Sequence, residues 1–438
     1  MKKIILGVIG AGIIGAGVWA GVFAYRNLRG IGPAVRGPKE DIVELLSPPP
    51  QSSPIKGEEE KGSSPPLVGG VREGGRQPGE GENRTGMPLK LPPGFSIEVF
   101  AKDLGKPRVM IEGPHSDLFV SIPSQGKVVA LPDRNSDGIA DEVVTVLEGL
   151  NRPHGLAFGA IDSWQMYVAE SDALTVYEYD SDKTKATGKK VLAKLPDGGN
   201  HVTRSIMFWR APDGVGKILI SVGSSCNVCY EKDSRRAAVL VYDFVNGKTE
   251  PLARGLRNSV FMTLSPKGEV WATEMGRDLL GDDLPPDEIN IIEQGKDYGW
   301  PICYGKNKHD AVFDKNVYVR DPCADKVASH IDLPAHSAPL GLAFIPKDAG
   351  WPKEYEGDLL VAFHGSWNRS EPTGYKVVRI KLDEQGQYEG MEDFISGWLQ
   401  SDGTALGRPV DILVQPGGVM YISDDKAGVI YRVMYSPI

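Results

Sequence analysis

The chain contains Arg408-Pro-Val-Asp-Ile-Leu-Val414, then Val419-Met-Tyr-Ile-Ser423 and then Gly428-Val-Ile-Tyr-Arg-Val433. Each run is short and apolar, and glycine, aspartate and proline residues stand between the runs, which is typical of strands joined by tight turns. A polar, basic group precedes the first run. The segment therefore predicts one unit of antiparallel sheet that begins at a polar end.

The same order of features recurs five times upstream. The other units open on Lys106-Pro-Arg-Val-Met110, Asn151-Arg-Pro-His-Gly-Leu-Ala-Phe158, His201-Val-Thr-Arg-Ser-Ile-Met-Phe208, Leu256-Arg-Asn-Ser-Val-Phe-Met-Thr-Leu264 and His336-Ser-Ala-Pro-Leu-Gly-Leu-Ala-Phe344. Six such units, spaced by roughly 45–80 residues, are typical of propeller blades with insertions. They predict an all-β, six-bladed β-propeller over residues 89–438, with residues 95–100 completing the last blade. Two packed β-sandwiches are the competing fold.

The N-terminal part of the chain has a different character. Lys2 and Lys3 precede an uncharged, mostly apolar run over residues 4–25, and 22 residues at about 1.5 Å each cross a ~30 Å hydrocarbon core. This predicts a transmembrane helix over residues 1–29, as an uncleaved anchor rather than a signal segment, because a signal peptide's apolar stretch is usually shorter. Residues 30–88 are rich in Pro, Gly, Ser and Glu, which predicts a disordered linker.

Charge and cysteines limit the partners and the compartment. The net charge of −9 argues against binding to nucleic acid, which requires a basic surface. Cys226 and Cys229 form a C-x-x-C pair, but nineteen residues lie between Cys303 and Cys323, so a zinc site is disfavoured. Two local disulfides in an exported protein are favoured instead. The cysteine pairing, together with the family resemblance given below, predicts a periplasmic or otherwise extracytoplasmic, membrane-anchored protein, whereas the charges that flank the apolar run do not decide its orientation.

Basic and imidazole side chains stand just before the first strand of most units. In a propeller these positions lie near the central channel on one face, and here they are His154, His201 with Arg204, Arg257 with Asn258, His336, and Arg408 with Asp411. Such a mouth predicts a pocket for a polyanionic small molecule, with imidazoles available for proton transfer.

Several longer motifs resemble one family. They are Gly-Gly-Asn-His201, Ile-Ser-Val-Gly223-Ser-Ser-Cys-Asn-Val-Cys229, Gly255-Leu-Arg-Asn258, Ala272-Thr-Glu-Met-Gly276-Arg-Asp, Leu284-Pro-Pro-Asp-Glu-Ile-Asn290, Asp297-Tyr-Gly-Trp-Pro301, Pro334-Ala-His-Ser-Ala-Pro-Leu-Gly341 and Phe363-His-Gly-Ser-Trp-Asn-Arg-Ser370. Together they resemble the pyrroloquinoline quinone (PQQ)-dependent glucose/sorbosone dehydrogenases, in particular the sorbosone and pyranose branch. The resemblance covers residues 89–433 approximately.

The resemblance implies roles for individual residues. His201 matches the general base that accepts the proton of the sugar C1 hydroxyl while hydride passes to the quinone. The turn at Gly276 and Arg277 matches the one whose carbonyls bind a calcium ion below the cofactor. The candidate cofactor-binding side chains are Arg204, Arg257, Asn258, His336, His364, Arg369 and Arg408.

The sequence departs from the family at two of these positions. The family's fifth-blade lysine is replaced by His364-Gly-Ser-Trp-Asn-Arg369, so that His364 or Arg369 would take its place. Arg408 is followed by Pro409 and Val410, so the second arginine of an Arg-x-Arg pair is absent. The resemblance implies a small sugar or aldehyde as the substrate and an electron acceptor such as a cytochrome or a quinone.

A separate acidic motif lies in the first unit. Asp133-Arg-Asn-Ser-Asp137-Gly places oxygen ligands at alternate positions before a glycine turn, as calcium loops do. Position twelve is Val144, so Asp141 or Glu142 would replace the usual glutamate, and the metal candidates are Asp133, Asn135, Asp137 and Asp141. An acidic hairpin turn without an ion is the alternative. For the whole chain, a metal-dependent lactonase-type propeller and a non-catalytic binding propeller are the alternative functions.

Overall fold

The computed structural model describes residues 81–160 and 163–437, which form five four-stranded antiparallel sheets and one five-stranded sheet, besides a two-stranded hairpin. The first strand of each sheet contacts the first strand of the next, and that of the sixth contacts that of the first, so the sheets close a ring. The predicted six-bladed β-propeller is therefore confirmed. The repeated pattern of a polar group and a strand marks the inner strand of each blade.

Blades 1 to 3 each run from the inner to the outer strand without interruption. Their strands are β3 (Met110–Glu112), β4 (Leu118–Ile122), β5 (Lys127–Leu131) and β6 (Val144–Leu147); β7 (Gly155–Ala160), β8 (Trp164–Ala169), β9 (Ala173–Asp180) and β10 (Lys185–Lys194); and β11 (Ile206–Arg210), β12 (Gly216–Val222), β13 (Ala238–Asp243) and β14 (Lys248–Arg254).

Blades 4 to 6 carry the irregular features. Blade 4 contains β15 (Met262–Leu264), β16 (Val270–Glu274), β17 (Asp287–Ile292) and β20 (Ile331–Leu333), with the hairpin β18 (Cys303–Tyr304) and β19 (Lys308–His309) inserted before its outer strand. Blade 5 contains β21 (Pro339–Phe344), β22 (Leu359–Phe363), β23 (Lys376–Leu382) and β24 (Tyr388–Ile395), and blade 6 contains β25 (Pro409–Val414), β26 (Met420–Asp424) and β27 (Val429–Tyr435), completed by β2 (Phe95–Ala101) and β1 (Glu82–Asn83). Short 3-10 turns occur at Pro114–Ser116, Pro123–Gln125 and Lys353–Tyr355.

Strand β2 closes the ring by joining the two ends of the domain. It pairs antiparallel to β27, with Phe95 opposite Tyr435, as predicted for residues 95–100. Phe95 is buried, and its ring contacts Trp351 at 4.9 Å and Phe394 at 5.0 Å in blade 5. Strand β1 pairs parallel to β2. Residues 81–88, the end of the predicted linker, therefore contact blade 6.

The second strand of a blade is packed between neighbouring blades on both sides. All residues of β4, β16, β22 and β26 are accordingly buried. Such strands bury most apolar surface per residue and therefore supply the main hydrophobic stabilisation of the ring.

The predicted transmembrane segment and residues 30–80 of the predicted linker lie outside the described residues. Within residues 81–160 and 163–437, no helix combines the length and the apolar character needed to span a membrane.

Strand alternation gives the propeller two distinct faces. Loops that join the second strand of a blade to the third, or one blade to the next, emerge on one face, here called the upper face. Loops that join the first strand to the second, or the third to the fourth, emerge on the opposite, lower face. The face of a short loop therefore follows from the number of strands that precede it within its blade, whereas the long insertion of blade 4 reaches the upper face, where its Asp310 binds Arg277.

The inner strands surround a central channel of about 290 Å³. Asp411 lines it, and its carboxylate accepts hydrogen bonds from the backbone N–H groups of Met110 (2.8 Å) and Ile412 (2.9 Å). Burial raises the pKa of Asp411 to about 7 in spite of these bonds. The Asp411 carboxyl thus links blade 6 to blade 1 and is protonated below about pH 7.

An Asp411→Asn variant should gain stability relative to the wild type as the pH rises. A carboxyl whose folded pKa is raised contributes stability that is present below its unfolded pKa and is lost as the pH rises through about 7. Asparagine does not titrate, so the difference between the variants in free energy of unfolding should change by up to about 4 kcal/mol between pH 4 and pH 8. Urea unfolding at both pH values measures it, and a pH-independent difference would contradict the raised pKa.

Candidate active site

His201 lies on the upper face, in the loop between β10 and β11. Its Nδ1 atom is 2.9 Å from the backbone carbonyl oxygen of Ser224 and 2.9 Å from the Ser224 hydroxyl. That hydroxyl donates to the Cys226 carbonyl at 2.7 Å, so it accepts from the ring. Because a carbonyl oxygen can only accept, Nδ1 carries the proton and Nε2 carries the lone pair. His201 is thereby fixed in the tautomer that a general base requires.

The surroundings keep the His201 imidazole neutral. Burial lowers its pKa most, and the positive charges of Arg257, Arg204 and Arg236 lower it further, to about 3. The same charges create a positive potential at the imidazole, which favours an anionic ligand nearby.

Asn258 and His201 lie close together because Gly223, the residue between them, has no side chain. A Cβ atom at Gly223 would come within 2.6 Å of both the Asn258 Oδ1 atom and the His201 Cβ atom. The Asn258 backbone N–H donates to Glu274 at 2.8 Å, and the Ser259 hydroxyl donates to the other Glu274 oxygen at 2.6 Å. Burial raises the Glu274 pKa to about 8. A glycine at 223 is therefore required for the close approach of the two side chains.

Arg257 is buried, and all five of its N–H groups bind protein oxygens. Its Nε donates to the Asn227 carbonyl (2.8 Å), Nη1 to the carbonyls of Met275 (3.2 Å) and Gly276 (2.9 Å), and Nη2 to the Asn227 side chain (2.8 Å) and Asp278 (2.9 Å). The guanidinium thus joins the C-x-x-C loop of blade 3 to the Gly276 turn of blade 4. Because its donors are used, Arg257 can act on neighbouring groups only through its charge.

Arg204 is fully buried and holds the loop that carries His201. It donates to the carbonyls of His201 (3.0 Å), Thr203 (2.7 Å) and Pro196 (2.5 Å). Burial, and then the neighbouring Arg236, lower its pKa to about 10, so it is still charged at neutral pH. The geometry makes Arg204 a positioning residue for His201.

A second group of charges lies across blades 5, 6 and 1. The Asp425 carboxylate accepts from His364 Nε2 (2.9 Å) and from Arg108 Nη1 (2.7 Å), while Arg408 donates to the carbonyls of His364 (3.0 Å) and Gly365 (2.7 Å). Burial, and then Arg408, lower the His364 pKa to about 4. Burial alone would raise the Asp425 pKa, but His364 and Arg108 outweigh it and hold the pKa below its usual range. His364 is therefore a neutral donor to an ionised Asp425.

His336 and Arg369 both hold the upper-face loop of blade 4 against blade 5. His336 Nε2 is 2.7 Å from the Gly281 carbonyl oxygen, so it is a donor there. Arg369 donates to the Asp282 carbonyl and, at 2.9 Å, to the Asp283 carboxylate. Both predicted cofactor-binding side chains are thus engaged with this loop.

The Gly276 turn is fixed from two sides. Its N–H donates to Asp287 at 2.9 Å, and its carbonyl accepts from Arg257. Burial raises the Asp287 pKa to about 7. Arg277 points away from the turn and forms a buried, bidentate ion pair with Asp310 (2.5 and 3.1 Å). The Gly276 carbonyl therefore remains available through its second lone pair, whereas the Arg277 side chain has a structural partner.

The predicted calcium loop lies on the lower face, between β5 and β6. Its side-chain oxygens bind the loop's own N–H groups: Asp133 accepts from Asp137 (3.1 Å) and Gly138 (2.9 Å), and Asp137 accepts from Ile139 (2.9 Å). Asn135 accepts from Asp137, and Asp141 from Arg134. This loop therefore lies on the opposite face from the Gly276 turn and belongs to a different site.

The four cysteines form the two predicted local disulfides, Cys226–Cys229 and Cys303–Cys323. Over residues 81–160 and 163–437, one group of three His, Cys, Asp or Glu side chains brings its donor atoms within 4.8 Å of one another, namely Cys226, Cys229 and Glu231. Because its two sulfur atoms are bonded to each other, this group is not a metal centre.

The sequence analysis missed the residues that complete each group. Ser224, Asn227 and Asp278 hold His201 and Arg257, and Arg108 and Asp425 hold His364. Ser224 has one signal, because it directly follows the glycine of the Gly223 motif. Arg108 precedes the first strand of blade 1 and Asp425 follows the second strand of blade 6, and only the closed ring brings them together.

The chain is similar in sequence to a protein family and to several individual proteins. A family model described as TrAA12-like matches residues 89–436. A protein of Borreliella burgdorferi described as uncharacterised is 31% identical over 366 residues, covering 80% of this chain and 92% of that protein. A pyrroloquinoline quinone-dependent pyranose dehydrogenase of Coprinopsis cinerea is 24% identical over 410 residues, covering 79% of this chain and 54% of that protein. The chain thus matches about half the length of the fungal enzyme.

Solved structures share the fold at low identity. The holo form of the PQQ domain of the Coprinopsis cinerea pyranose dehydrogenase superposes with a TM-score of 0.67 at 21% identity, covering 80% of this chain and 98% of that one. The apo form of the soluble aldose sugar dehydrogenase of Escherichia coli superposes with a TM-score of 0.58 at 17% identity, covering 78% and 100%.

Proposed function

The chain belongs to the TrAA12-like family, and on that premise we propose that it is a PQQ-dependent oxidoreductase that oxidises an aldose, a sorbosone-like sugar or another pyranose at C1. The observation that carries the proposal is His201. Its tautomer is fixed by the Ser224 carbonyl, its Nε2 lone pair is available, and three arginines surround it. A neutral imidazole in a positive field suits a site that binds an anionic cofactor and accepts a hydroxyl proton.

The charges of the upper face fit PQQ, a quinone with three carboxylates. Arg257, Arg204 and Arg236 act on His201, and Arg408 and Arg108 act on His364, so both groups lie in a positive field. Arg408 uses Nε and Nη2 on carbonyl oxygens, and within the described residues its Nη1 is left to bind a carboxylate. Arg408, Asn258 and the charge of Arg257 would hold the cofactor.

The chain's own contribution to the reaction is the transfer of a proton. His201 Nε2 accepts the C1 hydroxyl proton of the sugar, and the Nδ1–H bond to the Ser224 carbonyl stabilises the imidazolium that forms. The neighbouring arginines then favour loss of that proton to solvent, because they lower the pKa of His201. When bound, PQQ supplies the acceptor for the hydride that leaves C1.

We extend the proposal to a calcium ion at the Gly276 turn. A backbone carbonyl is a hard oxygen ligand of the kind that calcium prefers, and the Gly276 oxygen has one lone pair besides the one that Arg257 uses. One carbonyl gives weak binding by itself, so oxygens of the bound cofactor and water would complete the coordination.

Reconstitution tests the proposed cofactor and ion together. The purified chain should reduce an artificial dye with aldoses only after PQQ and calcium are added, and a chelator should abolish that activity until calcium is restored. A panel of pyranoses and sugar aldehydes then defines the substrate. Absence of both PQQ binding and dye reduction would overturn the proposal, and full activity in chelator would overturn the calcium part.

The alternative functions have less support. A lactonase-type hydrolase needs a carboxylate-rich metal cluster. Among the described residues, the one group of three potential metal ligands contains the two disulfide-bonded cysteines Cys226 and Cys229 and a single carboxylate. A non-catalytic propeller would not require a glycine that lets His201 approach Asn258, nor a fixed His201 tautomer.

The proposal also includes the location. Residues 1–29 would anchor the chain in a membrane and the propeller would lie outside the cytoplasm, passing electrons to a cytochrome or a quinone. The apolar run over residues 4–25 and the two formed disulfides support this placement.

A further inference from the structure

The lower face carries large apolar side chains on neighbouring turns of blades 2 and 3. They are Trp164, Phe208, Val215, Phe244 and Val245, here called the lower-face patch, and between 37% and 82% of each is exposed. Such side chains are normal when scattered singly, whereas a contiguous set marks a contact surface.

The part of the lower-face patch around Phe208 and Phe244 is contiguous and has a buried base. The rings of Phe208 and Phe244 lie 6.4 Å apart, and Tyr167 contacts them edge-on at 5.2 and 6.0 Å. Trp164 contacts Phe158 at 6.3 Å on the side of blade 2 that faces blade 1, whereas Gly159 lies on the side that faces Phe208, so Trp164 is a separate part of the patch. The aromatic rings are therefore held rigidly by one another while their outer edges face solvent.

The chain joins the propeller on this same face. Strand β2 begins at its lower end, where Phe95 pairs with Tyr435, and β1 runs parallel to it with Glu82 opposite Ser96. Residues 1–80 therefore lead into the lower end of blade 6. If residues 30–80 form a flexible linker, their end-to-end distance is about 40 Å. An anchor at residues 1–29 would thus keep the lower face within reach of the bilayer.

We propose that the lower-face patch rests on the lipid bilayer surface, with the upper-face site directed away from it. The proposal depends on the proposed N-terminal anchor. Aromatic side chains favour the membrane–water interface, and tethering raises the local concentration of the patch to the millimolar range, so a small contact area is sufficient. In this orientation the upper face is open to sugar and to an electron acceptor.

The test uses the full chain in vesicles of phosphatidylcholine with one-fifth phosphatidylglycerol. All four cysteines are in disulfides, so a nitroxide label attaches selectively to an introduced cysteine. Val245→Cys places it in the patch, and Ser124→Cys places it in an exposed upper-face turn as the matched control. Collision rates with oxygen, which concentrates in lipid, and with a water-soluble nickel complex report the depth of each label.

The label at position 245 should show an oxygen-to-nickel collision ratio several-fold above that at position 124. Phe244→Ser in the Val245→Cys background should lower that ratio, with dye reduction unchanged. Equal ratios at the two positions would overturn the proposal. So would low collision rates with both reagents, which indicate cover by protein, and spin–spin broadening, which indicates a second copy of the chain.

The failures of the proposal and of its premises are distinguishable. Release of the chain from vesicles by alkaline wash would show that the anchor has failed, and lack of dye reduction with PQQ would show that the dehydrogenase proposal has failed. An anchored, active chain with equal ratios at the two labels would overturn the membrane contact alone.

Discussion

Replacing His201 by glutamine is expected to lower kcat by about 10²- to 10⁴-fold, the range of a lost general base. Glutamine fills a similar volume and can still donate to the Ser224 carbonyl, but it offers no basic nitrogen to the sugar hydroxyl. Binding of PQQ should change little, because the side chain contributes no charge at neutral pH. Stopped-flow reduction of the bound quinone by sugar measures the chemical step directly.

The matched control is His336→Gln. His336 is also an upper-face imidazole, but its Nε2 is committed to the Gly281 carbonyl, so its loss should leave the reduction step largely unchanged. If His201→Gln retained full activity, or if His336→Gln were equally impaired, His201 would not be the base.

The pH profile gives an independent check on His201. A base with a pKa of about 3 remains unprotonated through mildly acidic pH, so kcat/KM should hold down to about pH 4. If kcat/KM instead fell as the pH dropped through the ordinary histidine value of about 6.5, burial and the arginines would not lower the pKa of His201 as the structure implies.

The sequence was sufficient to predict the propeller because blade units are local. Each consists of apolar runs separated by glycine and aspartate turns, and six of them require closure whatever their loops contain. The predicted role of residues 95–100 as the closing strand was also correct. Residues near inner-strand starts, such as His201 and Arg408, reach the upper face because that position is set by strand order.

The side-chain partners could not be predicted, because they depend on distant parts of the chain. Arg108 and Asp425 are separated by 317 residues and meet only because blade 6 abuts blade 1.

The acidic motif at Asp133 shows the opposite problem. Its local pattern predicts a calcium loop, with an acidic hairpin turn as the alternative, but whether that loop joins the site depends on its place between the third and fourth strands of a blade, which puts it on the lower face.

The second large effect is expected for Arg257→Met. The substitution removes the cation that holds Asn227, Met275, Gly276 and Asp278 together, and breaking a buried ion pair from one side typically costs about 3–5 kcal/mol. Binding of PQQ should weaken by about 10- to 100-fold, because the positive charge that Arg257 contributes to the site is lost. Urea unfolding and titration of PQQ fluorescence measure the two effects separately.

Stability alone does not distinguish a role in the site, so the pH profile decides it. After burial, Arg257 is the largest cause that lowers the pKa of His201. Its removal should therefore raise that pKa and move the acidic limb of kcat/KM to higher pH. Arg277→Met is the matched control, since it breaks the buried pair with Asp310 and should destabilise the fold. Arg277 is not among the groups that shift the His201 pKa, so this variant should leave the limb in place. If neither variant shifted the acidic limb of kcat/KM, Arg257 would be a structural link between blades 3 and 4, and its charge would not lower the pKa of His201.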